Sequence, residues 1–320
     1  MELPVLLRQA IDQALEGVAL PDLTRAAAAL SARYRGETRD GRLHLSDDLA
    51  ARAYLATRLP ATYAAVRAAM TELAERRPDF APSSLLDVGA GPGTVLWAAS
   101  NCWPSLKSAR LVEASGAIRK CGETLAEASP VTDIDWQSGD ITKGVTDDSR
   151  PDLVSLAYVL SELMPEARAK LIDDLWSLTG DVLLLVEPGT PKGWERILAA
   201  RDRLIEQGAQ LLAPCPHHFP CPITDPDWCH FSRRVARSRL HRLSKQADVP
   251  WEDEKFIYLA ASRKAGLPAE ARILAPPRAS KGRIDLKLCR ADGTLQERTV
   301  SKRDGALFKT ARRRDWGEIL

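Results

Sequence analysis

Apolar residues recur at three- and four-residue spacing through residues 1–77, in stretches such as LTRAAAALSARYRG and DDLAARAYLATRLPATYAAVRAAMTELAERR, and this predicts helices. Ser46, Asp47 and Asp48 supply a helix start there, and Pro60 a break or kink. Tyr34, Arg58, Tyr63 and Arg67 punctuate the same region and read as helix packing with solvated charges. From Ser83 the pattern changes to short apolar runs separated by helices. SLLDVGAG, ARLVEAS, DIDWQSGD, PDLVSLAYVLSEL and DVLLLVEPGTPKG read as five successive strands, the last apolar enough to be buried on both faces. Strands separated by helices of this length predict an α/β unit with a parallel, doubly wound sheet. The helix GWERILAARDRLIEQ closes that unit near residue 207. Beyond it, EDEKFIYLAASRK reads as a strand, RIDLKLCRADGTLQERTVSK as a hairpin turning at Asp292-Gly293, and ARRRDWGEIL as a basic tail. Four units follow: a helical region over 1–77, the α/β domain over 78–207, a cysteine-rich basic segment over 208–262, and a basic β region over 263–320.

Charge changes this picture more than composition does. The net charge of +2 hides an asymmetry, because from His230 onward Lys and Arg are about twice as numerous as Asp and Glu, while the remainder is acidic. A basic C-terminal third on an acidic body suits a polyanion-binding face; the alternative is an ordinary solvated surface. No stretch approaches the roughly 18–20 apolar residues of a membrane span, so no membrane partner is expected. The N-terminus carries Glu2 and Asp12 and lacks a basic leader region, so a cytoplasmic location is expected. Six cysteines in a reducing compartment point to thiols or metal ligands rather than disulfides. Nothing in the pattern specifies an oligomeric state.

The turn LLDVGAGPGT places Asp87, Gly89, Gly91 and Gly93 where a buried strand passes into a helix, and a backbone that must let a ligand approach closely there needs glycine. Glu113 closes the next strand, where a carboxylate can accept both hydroxyls of a ribose, and Asp140 ends the third, where it could meet an adenine amino group. This ladder of acids resembles class I S-adenosylmethionine-dependent methyltransferases, with a Rossmann-like domain. The spacing GAGPG favours that cofactor over NAD, whose turn runs GxGxxG. The Asp/Asn-Pro-Pro-aromatic loop that holds an exocyclic amine in many base methylases is missing; SLAYVLSELMP stands in its place. Tyr158, Ser161 and Glu162 there either line a pocket or serve packing and capping. No catalytic base is evident, and Cys102 and Cys121 read as core or surface thiols.

Cys215, Cys221 and Cys229 are separated by five and seven residues, without the tight CxxC pairs of zinc ribbons. Cys215 and Cys221 each precede a proline, as in ferredoxin-type loops. A four-thiolate site needs a fourth ligand; Cys289 is the remaining candidate, with His217, His218 and His230 as substitutes. The residues alone leave open an iron–sulfur cluster, a zinc site with three cysteines and a histidine, and unliganded thiols.

The stretches APCPHHFPCPITDPDWCHFSRRVARSRLHR, EDEKFIYLAASR, ILAPPRASKGRIDLKLC and VSKRDGALFKTARRRDWG, with LSARYRG, YLATRLPATYAAVRAAM and LLDVGAGPGT upstream, resemble the Rsm-twenty-two family of ribosomal small-subunit methyltransferase-like proteins, found in mitochondria and bacteria. The resemblance spans nearly the whole chain. It implies a class I methyltransferase domain flanked by an N-terminal helical region and a C-terminal cysteine-cluster with a small β region. It further implies a [4Fe-4S] cluster on Cys215, Cys221, Cys229 and Cys289, and association with small-subunit ribosomal RNA during assembly. Asp87, Gly89, Gly91 and Gly93 match the cofactor site, with Glu113 and Asp140 as positional matches. Arg233, Arg234, Arg237, Arg239 and Arg242 fall together on what reads as a helix, placed to meet phosphates rather than bases. Two versions compete: an active ribosomal RNA methyltransferase, and a silent assembly factor of the same fold. A small-molecule methyltransferase with a zinc-stapled lid is the reading from another class.

Overall fold

A computed structural model describes residues 1–38, 44–141, 144–145 and 149–320. Four helices lead: α1 (Val5–Ala14), α2 (Leu20–Arg35), α3 (Asp48–Thr57) and α4 (Leu59–Arg76). Asp47 caps α3, its carboxylate accepting from Ala50 N at 2.9 Å. Pro60 lies in the first turn of α4, where its missing N–H has no intrahelical partner to lose, so the expected break is the α3–α4 junction. The alanine-rich α4 is buried nearly all round and packs against the sheet strands described next.

The main unit runs β1 (Ser84–Val88), α5 (Thr94–Cys102), β2 (Ser108–Val112), α6 (Gly116–Ala126), β3 (Asp133–Gln137), β4 (Leu153–Ala157), α7 (Pro165–Leu178), β5 (Val182–Pro188) and α8 (Pro191–Glu206). It continues through β6 (Gln210–Ala213), β7 (Phe231–Ala236), α9 (Arg239–Ser244) and β8 (Trp251–Ser262). The sheet order is β3-β2-β1-β4-β5-β8-β6, with β1 to β5 parallel and β8 antiparallel to both β5 and β6. The strand order reverses between β1 and β4, so the C-terminal ends of these strands form the crevice where doubly wound sheets bind ligands. The 12-residue β8 has two characters. Its second half is buried on both faces between β5 and β6, whereas its first half alternates and pairs with β7.

A second, four-stranded sheet holds β9 (Ala271–Ile273), β10 (Arg278–Ser280), β11 (Arg283–Arg290) and β12 (Leu295–Ser301), with α10 (Ala306–Ala311) on one face. Its own small core contains Ile273, Ile284, Leu286, Leu288, Val300 and Phe308. The hairpin turns at Asp292-Gly293 as its sequence suggests, with Gly293 at φ +81° and the Asp292 carboxylate accepting from Thr294 N. The sheet is joined to the body by Arg272, which is buried. Its guanidinium pairs with Glu72 of α4 and donates to Pro214 O at 2.9 Å and Gly317 O at 2.6 Å.

Three expectations change. The boundary at 207 falls inside the main sheet, because β6, β7 and β8 complete it. Arg233 to Arg242 do not share a helix: Arg233 and Arg234 lie on β7, Arg237 follows it, and only Arg239 and Arg242 lie on the short α9. Phe231 and Val235 are buried and β7 pairs residue by residue with the start of β8, so tertiary pairing overrides the arginines' helical preference. The ARRRDWGEIL segment is not a loose tail, since Gly317 N donates to Ile273 O and Leu320 N to Ala271 O, fixing it along β9.

Candidate functional site

The β1–α5 turn carries Gly89, Gly91 and Gly93 at φ +68°, +55° and +75°. Gly89 is required on two counts, because a Cβ there would also stand 2.5 Å from Val159 Cγ2. Glu113, immediately past β2, braces the turn: Oε2 accepts from Gly91 N at 2.9 Å and Oε1 from Ser115 N at 2.7 Å. A carboxylate has about four lone-pair sites, so acceptor capacity remains for a further donor. Asp87 is buried and accepts from Ser155 Oγ at 2.7 Å, while its Oδ2 has no partner. Burial pushes its carboxyl up to about 7, Ser155 opposing and Glu113 assisting. Asp140 stands exposed three residues beyond β3, at the same end of the sheet.

The N-terminal helices close over this end. Ser115 Oγ donates to Leu45 O at 2.5 Å, and His44 faces Glu162 at 3.8 Å. Beside the turn, a cavity of about 650 Å³ opens over the ends of β4 and β5, lined by Tyr34, Tyr54, Arg58, Tyr158 and Glu254 among others. Glu254 of β8 organises it. Its carboxylate accepts from Tyr158 Oη at 2.9 Å and from both terminal nitrogens of Arg58, at 3.1 and 3.3 Å. The Arg58 charge is therefore paired rather than solvated, which corrects the expectation for that residue. Burial and the neighbouring Glu254 both hold Tyr158 protonated, so it is a donor and not a base. Glu162 is better matched to proton exchange near neutrality: burial first, then Glu113 and Glu187, push its carboxyl up to about 7. Glu187, also about 7, is already engaged by Leu160 N and Arg196.

At the β8–β6 edge of the main sheet, Cys215, Cys221, Cys229 and Cys289 line one cavity with His217, Arg201 and Arg272. Three of the cysteines come from the β6–β7 connection and the fourth from β11, so the cavity sits at the joint of the two sheets. Arg201 of α8 holds the connection by donating to His217 O at 3.2 Å and Phe219 O at 2.5 Å. His217 Nε2 lies 3.3 Å from Cys289 Sγ. Burial, then Cys215 and Cys221, push the Cys289 thiol up to about 12; burial also raises Cys221 and Cys229. Among the described residues no three Cys, His, Asp or Glu side chains close into a single-ion shell; the four thiols line a cavity instead.

Of the five arginines, Arg234 pairs with Asp253 at 2.9 Å and Arg237 with Glu252 at 3.1 Å, both acids of β8. Arg233 donates to Ser232 O and Trp316 O, and Arg239 and Arg242 are exposed. Sequence reasoning passed over Arg201, Arg272 and Glu254. Nothing local marks the first two as buried, and Glu254 sits in the short acidic run EDE; the pairings that give them roles span up to 200 positions.

The strand order with one antiparallel insertion, and a glycine turn at its switch point, define a doubly wound α/β protein of the methyltransferase type. Residues 48–320 match the family model described as mitochondrial small ribosomal subunit Rsm22, and the chain belongs to that family. Human METTL17, a mitochondrial ribosome assembly protein, is 32% identical over 288 residues, covering 83% of this chain and 61% of its own length. Mitochondrial Rsm22-cox11 tandem protein 2 of Schizosaccharomyces pombe is 24% identical over 320 residues, covering 84% and 42%. The chain thus spans about three fifths and two fifths of these relatives. Magnesium protoporphyrin IX methyltransferase of Synechocystis overlays with a TM-score of 0.41 at 14% identity, covering 76% of this chain and 100% of its own.

Proposed function

We propose that this chain is a small-ribosomal-subunit assembly protein, acting in the cytoplasm, that binds S-adenosylmethionine and a [4Fe-4S] cluster and contacts ribosomal RNA. The observation that carries the cluster is the convergence of Cys215, Cys221, Cys229 and Cys289 on one cavity from two sheets. Two buried guanidinium groups, Arg201 and Arg272, line the same cavity and suit an anionic occupant. The cluster would supply a rigid cross-link, its binding coupled to loss of the thiol protons. Zinc on the same thiols is the alternative.

The cofactor reading rests on the turn. The unpartnered Asp87 Oδ2 and the remaining acceptor sites of Glu113 fit the amino and hydroxyl groups of S-adenosylmethionine, which would supply an electrophilic methyl group. Asp140 is the third position, for an adenine amino group. A catalytically silent version of the same protein is favoured by one observation: Tyr158, which lines the cavity over the ends of β4 and β5, is locked to Glu254. Incubation with immature small subunits and methyl-labelled S-adenosylmethionine tests both levels. Co-sedimentation with the subunit supports assembly binding and its absence contradicts it; label transferred to RNA marks the active version, and none marks the silent one.

A further inference from the structure

The far end of the small sheet is a basic surface, and among the described residues its charges, unlike those of Arg234 and Arg237, have no ion-pair partners. Lys281 and Arg283 sit at the β10–β11 turn, and Arg278 lies further along β10 opposite Asp285, all exposed. Lys302 lies against that turn, its side chain within 3.6 Å of the place a Gly282 Cβ would occupy, and Arg303 follows it. On α10, Phe308 and Ala311 face the sheet; Lys309 on the helix and Arg312 and Arg313 just past its end are exposed. Among the described residues none of these cations stands within ion-pair distance of a carboxylate. The local acids are engaged elsewhere: Asp304 accepts from Ser301 N and Oγ at 2.7 and 2.9 Å, and Asp285 from Thr299 Oγ1 at 2.6 Å.

Position matters as much as charge. Arg283 and Cys289 lie at opposite ends of β11, about 20 Å apart at the rise of a strand, so the basic end projects away from the joint between the sheets. Among the described residues no aromatic side chain is exposed there; Phe308 is buried beneath. Single-stranded RNA is held by stacking its bases on aromatic rings, and a membrane by apolar insertion, and this surface offers neither. We infer that it docks on the phosphate backbone of double-helical RNA, reading shape and not sequence. This deepens the proposed RNA-binding role and rests on it: it moves the principal contact from the β7–α9 arginines, two of which are paired with Asp253 and Glu252, to the small sheet.

The test uses the full chain and an 18-base-pair RNA duplex, with an 18-nucleotide single strand and phosphatidylcholine–phosphatidylglycerol vesicles as competitors. Lys302→Glu, Arg303→Glu and Lys309→Glu together should weaken duplex binding at least about 30-fold and flatten the log–log salt slope by about 3, one per lost phosphate contact. All three positions are exposed, so the melting temperature should hold, and a circular dichroism melt verifies this. Arg239→Glu with Arg242→Glu should cost less. If wild type binds the duplex and the triple variant binds within about 3-fold with the same slope, the location is wrong while RNA binding stands. A wild type that binds no RNA defeats the underlying role itself. Preference for the single strand or for vesicles overturns the choice of duplex RNA.

Discussion

Arg272 and Glu72 form a buried pair that ties β9 to α4 beside the cysteine cavity, and their removal should show what joins the two sheets. Both side chains are at most 5% exposed. Glu72→Met would leave the guanidinium with only Pro214 O and Gly317 O as acceptors, an uncompensated buried charge costing about 3–5 kcal/mol. Arg272→Met would strand the Glu72 carboxyl and also those two carbonyls, each worth about 1–3 kcal/mol when unsatisfied, so it should cost at least as much. The double variant removes both charges and leaves apolar volume, so it should cost less than the sum of the singles by about 2 kcal/mol or more. Urea unfolding at pH 7.5, followed by tryptophan fluorescence, measures each corner of the cycle. Should the small sheet unfold first, the effect falls on the earlier transition. Singles that cost under about 1 kcal/mol, or that add within about 0.5 kcal/mol, would refute the pair as the joint.

Three other outcomes are expected. Asp87 prefers its neutral form in the folded, ligand-free protein, so the associated stability is full below pH 4 and is lost as pH rises through about 7. Asp87→Asn mimics the neutral acid and should stabilise the protein at pH 8, by at most roughly 4 kcal/mol, with little effect at pH 4; equal effects at both pH values in thermal melts would contradict this. Gly89→Ala should cost more than Gly91→Ala, because only at Gly89 does the new methyl group meet Val159 as well as a positive φ; adding Val159→Ala should recover part of the difference in stability. Glu254→Ala strands Arg58 and frees the Tyr158 hydroxyl, and should cost about 2–4 kcal/mol in urea unfolding; no loss would mean that solvent already satisfies Arg58.

The alternation of apolar strands and helices was readable because each element carries its own periodicity, so β1 to β5 and α8 emerge from the chain one by one. What local pattern cannot contain is the partner. The arginines of β7 have good helix propensity, and only pairing with Glu252 to Glu254 of β8 makes that segment a strand. The same pairing neutralises Arg234 and Arg237, which a count of charges had assigned to RNA. The glycine turn was readable because its backbone geometry demands glycine, whereas Glu254 and Arg58 meet across 196 positions and leave no local trace. The cysteines lie between these cases. Their spacing marked a site, yet only the fold shows that Cys289 reaches it from the second sheet.

Anaerobic purification of the full chain, with iron, sulfide and zinc analysis and an absorption spectrum, bears directly on what the four cysteines hold. Roughly four irons and four sulfides per chain, lost when Cys289 is replaced by serine, is the expected result. One zinc without sulfide, or a metal content untouched by Cys289→Ser, would contradict it.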